Sequence, residues 1–338
     1  MLLEKISSLE ECSEPLRFSQ VPDPVPAEKE ILVRISTCGI CHTELDEIEG
    51  RTPPPRFPIV PGHQIVGTVV GLGKNATRFK VGERVGVAWI FSACGKCSFC
   101  RSGNENLCAS FKATGRDVNG GYAEMMTVHE DFVYDIPKIF SDAHAAPLLC
   151  AGAIGYRSLR LSGIADGQNL GLTGFGASAH LVLKMVKHRY PKTNVYVFAR
   201  SESEREFANN LGAVWSGDTT AESPRQLEAI IDTTPAWRPV VEALRNLAPG
   251  GRLVVNAIRK EDKDKQALLG LSYPRHLWME KEIKSVANVA RNDVSEFLSL
   301  AAEMHITPEV EEFSLKDANR ALIELKAAKI RGAKVLRM

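Results

Sequence analysis

The chain has 338 residues, 44% of them apolar and 25% charged, and its 42 Lys and Arg against 41 Asp and Glu leave a net charge of +1. At about 150 residues per domain this length predicts two domains, with enough core to fold without disulfide staples. A balance this neutral argues against a nucleic-acid or anionic-membrane binder that works by bulk charge. No apolar run of about 18 residues is present to span a membrane, and Met1-Leu2-Leu3-Glu4-Lys5 does not open a signal peptide. A cytoplasmic location with reduced thiols is expected.

The first part reads as β-rich. Short apolar and β-branched runs at 31–37, 64–71 and 83–88 are separated by turn residues such as Pro53-Pro54-Pro55 and Gly73-Lys74-Asn75. Frequent turns between short strands predict a small β-barrel. After about Ala151 the pattern changes. Strands at 169–173, 194–198, 227–231 and 251–256 alternate with helical periodicity at 177–187 and 204–211, the latter ending at Gly212. That alternation predicts a doubly wound parallel sheet with helices on both faces. Helices near 294–303 and 316–328 and a strand near 333–336 follow. The expected domains are 1–151, 152–288 and a return to the first domain over 289–338.

All eight cysteines lie in the first half of the chain. Cys94, Cys97, Cys100 and Cys108 fall within fifteen residues of a polar loop. Four thiolates at this spacing suit one tetrahedral zinc with no open position, which is a structural site. An iron–sulfur cluster uses similar ligands but accompanies electron-transfer folds of another kind. Cys41, His63 and Cys150 are far apart. Two thiolates and an imidazole are the ligand set of a catalytic zinc that keeps one position open, although His63 alone reads equally as a core histidine. Cys38 and Cys41 also form a Cys-x-x-Cys pair, but a redox pair should open a helix in a βαβ unit, whereas this one follows a strand in the β-rich part.

Gly174-Phe175-Gly176-Ala177-Ser178-Ala179 fits the Gly-x-Gly-x-x-Gly/Ala pattern. It follows a strand and opens a helix, the context in which the pattern holds a pyrophosphate. Gly174 permits the turn, Gly176 permits close approach of the phosphates, and Ala179 permits close helix–strand packing. The second strand of this half ends in Phe198-Ala199-Arg200-Ser201. It lacks the carboxylate that binds a ribose 2′-hydroxyl. Arg200 and Ser201, with Ser203, are candidates for a 2′-phosphate, so NADP(H) is favoured over NAD(H). The opposing features are Glu202 and Glu204 nearby and the alternative that Arg200 stacks on adenine.

Cys41-His42-Thr43-Glu44, Gly62-His63-Gln64, the four-cysteine loop, Pro147-Leu148-Leu149-Cys150-Ala151-Gly152 and Gly174-Phe175-Gly176-Ala177-Ser178-Ala179 occur in one order along essentially the whole chain. Together they resemble the zinc-containing medium-chain alcohol dehydrogenase family. The resemblance implies an α/β plus β fold, with a GroES-like β-barrel catalytic domain and a Rossmann nucleotide-binding domain. It implies two zincs per chain, a catalytic one on Cys41, His63 and Cys150 and a structural one on Cys94, Cys97, Cys100 and Cys108.

The resemblance further implies that Thr43 meets the substrate oxygen and starts a proton relay, and that His42 approaches the pyrophosphate; Asp46 stands where many members end that relay with a histidine, and it could accept the proton with help or leave it to exit through water. A solvated loop carboxylate is as good a reading of Asp46. Thr233, Thr234, Asn256, Ala257 and Ile258 would line the nicotinamide side, and Lys334 or Arg331 would stand in for a pyrophosphate-binding arginine. Trp89, Ile90, Ile48 and Phe57 are candidates for an apolar pocket. Gln64 replaces the family's usual glutamate, and Glu44 replaces an aspartate that would hold the zinc histidine. The implied activity is reversible oxidation of primary or secondary alcohols to aldehydes or ketones with hydride transfer to NAD(P). A cinnamyl-alcohol-type, NADPH-dependent aldehyde reductase and a non-catalytic zinc-binding relative are the alternatives. The expected partners are a small alcohol or aldehyde and further copies of the chain in a homodimer or homotetramer, with no nucleic acid and no membrane.

Overall fold

The computed structural model describes residues 1–327 and 332–338. Two compact units divide it, Met1–Cys150 with Val289–Met338, and Ala151–Asn288.

The first unit is built around β1 (Glu30–Ile40), whose alternation buries Ile31, Val33 and Ile35 on one face. From Thr37 onward both faces are buried, and the strand delivers the chain to α1 (His42–Ile48). Next come β2 (Ile65–Leu72), β3 (Arg84–Val87), β4 (Met125–His129) and β5 (Val133–Asp135). β1 pairs antiparallel with both β2 and β4, β3 joins β2 and β5. Two register shifts along β1, at Leu32/Val33 and Ile35/Thr37, bend it. Ile31, Val33, Ile65, Val69, Val85 and Val87 form the core of the unit.

Glycine is required just before His63. Gly62 has φ +99°, and a Cβ there would lie 2.4 Å from the Tyr122 ring. The bare backbone instead hydrogen-bonds to the facing segment, Gly120 N–H to Val60 O at 2.7 Å and Gly121 N–H to Gly62 O at 2.9 Å. Residues 60–62 are thereby laid against 120–122.

The second unit opens with α2 (Ala151–Ser162) and continues through β6 (Asn169–Thr173), α3 (Ala177–Arg189), β7 (Asn194–Phe198), α4 (Glu202–Asn210) and β8 (Trp215–Gly217). It ends with β9 (Leu227–Asp232), α5 (Arg238–Asn246), β10 (Leu247–Val255) and β11 (Glu282–Ser285). The six strands lie in the order β8-β7-β6-β9-β10-β11, all parallel. Chain direction across the sheet reverses between β6 and β9, so the ligand crevice of such a sheet lies at their C-terminal ends. Leu170, Leu172, Val195, Val197, Ile230, Ile231 and Val254 are all fully buried, as strands covered on both faces demand.

The chain then returns to the first unit through α6 (Arg291–Glu303), β12 (Val310–Ser314), α7 (Ala318–Lys326) and β13 (Ala333–Arg337). β13 runs parallel to β12 and antiparallel to β1, completing a seven-stranded sheet. The helix expected from Lys316 begins with a 3-10 turn, Leu315–Asp317, and becomes α-helical only at Ala318. α6 starts three residues earlier than its apolar periodicity suggests, because the Asp293 carboxylate accepts the Ala290 N–H at its start.

One expectation is overturned. Lys334 is 2% exposed, and its ammonium meets Glu311 at 2.6 Å and Glu324 at 2.7 Å and lies over the Phe313 ring. It is committed to holding β13 against β12 and α7, so it is not a pyrophosphate ligand. Arg331, the alternative, lies outside the described residues. Lys334→Met should lower unfolding stability by about 2 kcal/mol, less than a fully buried pair because Glu311 is half exposed. Denaturant titration measures that loss, and the coenzyme Kd should stay unchanged.

Candidate active site and metal centres

Four sulfurs gather in the loop after β3. The Sγ atoms of Cys94, Cys97, Cys100 and Cys108 lie within 4.8 Å of one another, with Cys97 to Cys100 at 3.5 Å and Cys94 to Cys100 at 3.9 Å. A tetrahedron of zinc–sulfur bonds of about 2.3 Å has edges of about 3.8 Å, so these spacings fit one ion. Backbone donors surround the sulfurs: Cys97 N–H to Cys94 Sγ at 3.4 Å, Cys100 N–H to Cys97 Sγ at 3.5 Å and Ser110 N–H to Cys108 Sγ at 3.3 Å. The N–H groups of Lys96 and Cys97 draw the Cys94 thiol down to about 6, toward the thiolate a metal needs. The loop is anchored within its unit by Glu105, whose carboxylate accepts from Arg291 Nε at 2.7 Å.

The second cluster is assembled from three distant segments. The Sγ atoms of Cys41 and Cys150 and a ring nitrogen of His63 lie within 4.8 Å of one another, Cys41 Sγ and His63 Nε2 being 3.8 Å apart. Cys41 is the N-cap of α1, His63 follows the Gly62 turn, and Cys150 ends the 3-10 turn Ala146–Leu149. One carboxylate orders this cluster. Glu44 is fully buried, and its Oε1 meets His63 Nδ1 at 2.6 Å while its Oε2 accepts the Cys41 N–H at 2.8 Å. The first contact fixes the ring tautomer and leaves Nε2 facing the thiols. The second closes a capping box that starts α1 at Cys41. A hydrogen bond with Cys150, together with burial, pushes the Cys41 thiol well above its usual range. Burial opposes protonation of His63, but Glu44 and Cys41 outweigh it and raise the ring. A divalent cation is the group that lets such thiols ionise beside a neutral imidazole.

The neighbours of this cluster are mixed. The Trp89 ring stands edge-on to His63, centroids 5.1 Å apart. Thr43 donates its N–H to Cys41 Sγ at 3.4 Å, His42 is exposed on the first helical turn, and Phe57 is partly exposed. Ile48 and Ile90 are fully buried core residues. Asp46 is not a solvated loop carboxylate. It is 5% exposed within α1, and its Oδ1 takes Arg51 Nε at 2.5 Å.

Gln64 is buried with its Nε2 lacking a hydrogen-bond partner among the described residues, and a Cβ on Gly39 would lie 2.6 Å from its Oε1. Sequence reasoning missed Glu47. Both of its carboxylate oxygens are buried and unpartnered among the described residues, and burial, then Glu44, push this acid well above the usual carboxylate range. Its i+4 spacing from Thr43 on α1 was the available signal.

In the second unit the glycine turn sits at the end of β6. Gly174 has φ +75°, as this turn requires, and its N–H donates to Phe198 O at 2.8 Å. A Cβ on Gly176 would meet nothing within 4 Å, so protein packing does not demand that glycine; the space above it suits a pyrophosphate. Gly176 caps α3 without a side chain, which leaves the first helical N–H groups at Ala177 and Ser178 directed out of the turn. Phe175 is buried, its ring edge-on to Phe207 at 5.7 Å. Ala179 is fully buried, as helix–strand packing requires.

At the end of β7 Arg200 is exposed and Ser201 caps α4. The Ser201 hydroxyl bonds the Glu204 carboxylate at 2.9 Å. Arg205, not foreseen, props this turn by donating to Ala199 O and Arg200 O, each at 2.9 Å. Thr233 donates both its N–H and its hydroxyl to Thr173 O, at 2.9 and 3.0 Å. Asn256 and Ala257 are half-buried beyond β10, and Ile258 is exposed.

Residues 27–138 match the model of the alcohol dehydrogenase GroES-like domain. A probable alcohol dehydrogenase AdhA of Mycobacterium tuberculosis is 40% identical over 323 residues, spanning 94% of this chain and 91% of that protein. An alcohol dehydrogenase of Geobacillus stearothermophilus is 32% identical across 99% of both chains. A cinnamyl alcohol dehydrogenase structure from Sorghum bicolor superposes with a TM-score of 0.79 at 26% identity, covering 94% of this chain and 92% of its own.

The chain belongs to the zinc-containing medium-chain alcohol dehydrogenase family.

It is an oxidoreductase with a GroES-like domain and a Rossmann-type parallel sheet, and its cysteine–histidine clusters and glycine turn fit zinc and a nicotinamide nucleotide. Within this dehydrogenase Glu44 joins two tasks, so its removal should act on the metal before it acts on the fold. Glu44→Gln should weaken metal retention at the Cys41, His63 and Cys150 cluster about 10–100-fold. Chelator competition followed by elemental analysis measures this, and the four-cysteine site should keep its ion.

Proposed function

We propose that this dehydrogenase binds two zinc ions per chain and interconverts a small alcohol and its aldehyde or ketone on the Cys41, His63 and Cys150 centre. The observation that carries the reading is the convergence of these three residues, with Glu44 fixing His63 through Nδ1. Three protein ligands leave a fourth tetrahedral position for the substrate oxygen, whereas the four-cysteine cluster leaves none. Zinc would supply Lewis-acid polarisation of that oxygen, and the nicotinamide would take or give the hydride. Thr43, two residues after Cys41, holds and passes the hydroxyl proton. Asp46 ends the relay only by sharing its carboxylate with Arg51, so exit through water competes with it. Trp89 forms the apolar wall beside His63.

On the coenzyme, Gly174, Phe175, Gly176, Ala177 and Ser178 cradle the pyrophosphate. Thr233, Asn256, Ala257 and Ile258 line the nicotinamide side. We favour NADP(H), because Ala199 stands where a carboxylate would repel a 2′-phosphate and the exposed Arg200 is beside it. Ser201 contributes less than its position suggests, since its hydroxyl is engaged by Glu204. Cinnamyl-type aldehyde reduction is the alternative the sorghum structure favours. Among the described residues no helix is long and apolar enough to cross a membrane, and reduced cysteines suit the cytoplasm. The exposed edge of β11, with Ile283 51% exposed and Trp278 and Tyr273 exposed ahead of it, suits a homo-oligomer.

Absorbance assays with NADH and NADPH against a panel of alcohols, aldehydes and ketones test this reading. Turnover should be faster with NADPH, and Arg200→Ala should reduce kcat/KM for NADPH about tenfold more than for NADH. Equal use of both coenzymes by the wild-type enzyme contradicts the coenzyme assignment. Cys150→Ala should lose one of two zincs and all measurable hydride transfer; full activity in that variant contradicts the assignment of the centre.

A further inference from the structure

Beyond the glycine turn, the second unit contains a buried cation that none of this chemistry uses. The Lys260 side chain is 8% exposed and its ammonium is paired with the Asp232 carboxylate, whose side chain is fully buried. The same ammonium donates to Thr234 O at 2.7 Å and Ala236 O at 3.2 Å. The other Asp232 oxygen accepts the Thr173 hydroxyl at 2.9 Å and the Thr234 hydroxyl at 2.8 Å. Every donor of the ammonium is thus spent, and the buried charge is paired as burial demands.

The position of this knot is informative. Asp232 ends β9, and the segment 233–236 follows it. Lys260 belongs to the segment 256–261 that follows β10. Two backbone bonds already join 256–261 to the end of β9 and the segment after it, Asn256 N–H to Asp232 O at 2.8 Å and Glu261 N–H to Pro235 O at 2.8 Å. Lys260 adds three more between them. The tie also reaches β6, because Thr173 is its last residue and Gly174 follows. A Cβ on Gly174 would lie 2.9 Å from Thr234 Cγ2 and 3.0 Å from Thr233 Oγ1, so the glycine turn rests directly on the clamped loop. Asp264 extends the arrangement by accepting the N–H groups of Trp237 and Arg238, at 3.0 and 2.8 Å, at the start of α5.

We propose that Lys260 is a positioning residue for the coenzyme. It holds the loop after β9 and the loop after β10 at a fixed separation, and it sets the glycine turn against them. The inference rests on the Rossmann-type coenzyme site described above. Hydrogen bonds from one rigid ammonium limit how far two such loops drift, so the nicotinamide meets a preformed wall and less ordering is needed on binding. A purely structural ion pair would lower stability when broken and leave the affinity of the folded protein unchanged.

Fluorescence titration of the zinc-loaded enzyme with NADPH and NADH separates the two. Lys260→Met should raise the Kd of whichever coenzyme the wild type prefers about tenfold, with zinc content unchanged. At saturating coenzyme, KM for the alcohol should stay within twofold. Lys260→Gln keeps amide donors for Thr234 O and Ala236 O but removes the charge, and should raise Kd about threefold; it carries the test if the methionine variant fails to fold. A folded variant whose Kd lies within twofold of wild type, whatever its melting temperature, overturns the proposal. Wild-type protein that binds neither coenzyme overturns the coenzyme site itself and this inference with it.

Discussion

The buried Glu44 carboxylate is the contact on which the metal centre depends. With one oxygen it accepts the Cys41 N–H and starts α1; with the other it meets His63 Nδ1. A shorter acid capping the same helix must bring the histidine closer to the helix start; the extra methylene of Glu44 sets the reach between two segments 19 residues apart. The carboxylate is fully buried, so its charge is tolerable only because both oxygens are satisfied. Cap, tautomer and ligand direction therefore rise or fall together.

The remaining geometry of the centre comes from backbone contacts rather than from local sequence. His63 is placed because Gly62 adopts a left-handed conformation and residues 60–62 lie against 120–122. Cys150 arrives at the end of a 3-10 turn. Gln64, which replaces the family's usual acid, removes one negative charge close to the cluster. Glu47, buried one helical turn beyond Thr43, places a second acid in the same region, raised by burial so that it holds its proton more tightly. The acid–base inventory around this centre thus combines a neutral amide at Gln64 with a buried acid at Glu47.

What was legible in the sequence follows from how local each signal is. The four-cysteine loop and the glycine turn are written within fifteen and six residues, and their neighbours in space are their neighbours in sequence. The strand–helix alternation of the second unit was readable for the same reason. Cys41, His63 and Cys150 could be joined only through the resemblance, since no spacing rule links them. Lys334 was misread because its one-dimensional position near the C-terminus says nothing of Glu311 and Glu324, which claim its charge. Asp46 lay beside its partner Arg51 in sequence, yet the pairing depends on where α1 ends. Lys260 carried no signal at all, because Asp232 is 28 residues away and the carbonyls it binds have no sequence signature.

The proposed centres are one closed four-sulfur site and one open site of two sulfurs and a Glu44-held imidazole. Zinc K-edge X-ray absorption on the purified, zinc-replete protein tests them most directly, combined with elemental analysis. Two zincs per chain are expected, with an averaged environment of about three sulfurs near 2.3 Å and one lighter ligand near 2.0–2.1 Å. One zinc per chain surrounded by four sulfurs would contradict that assignment.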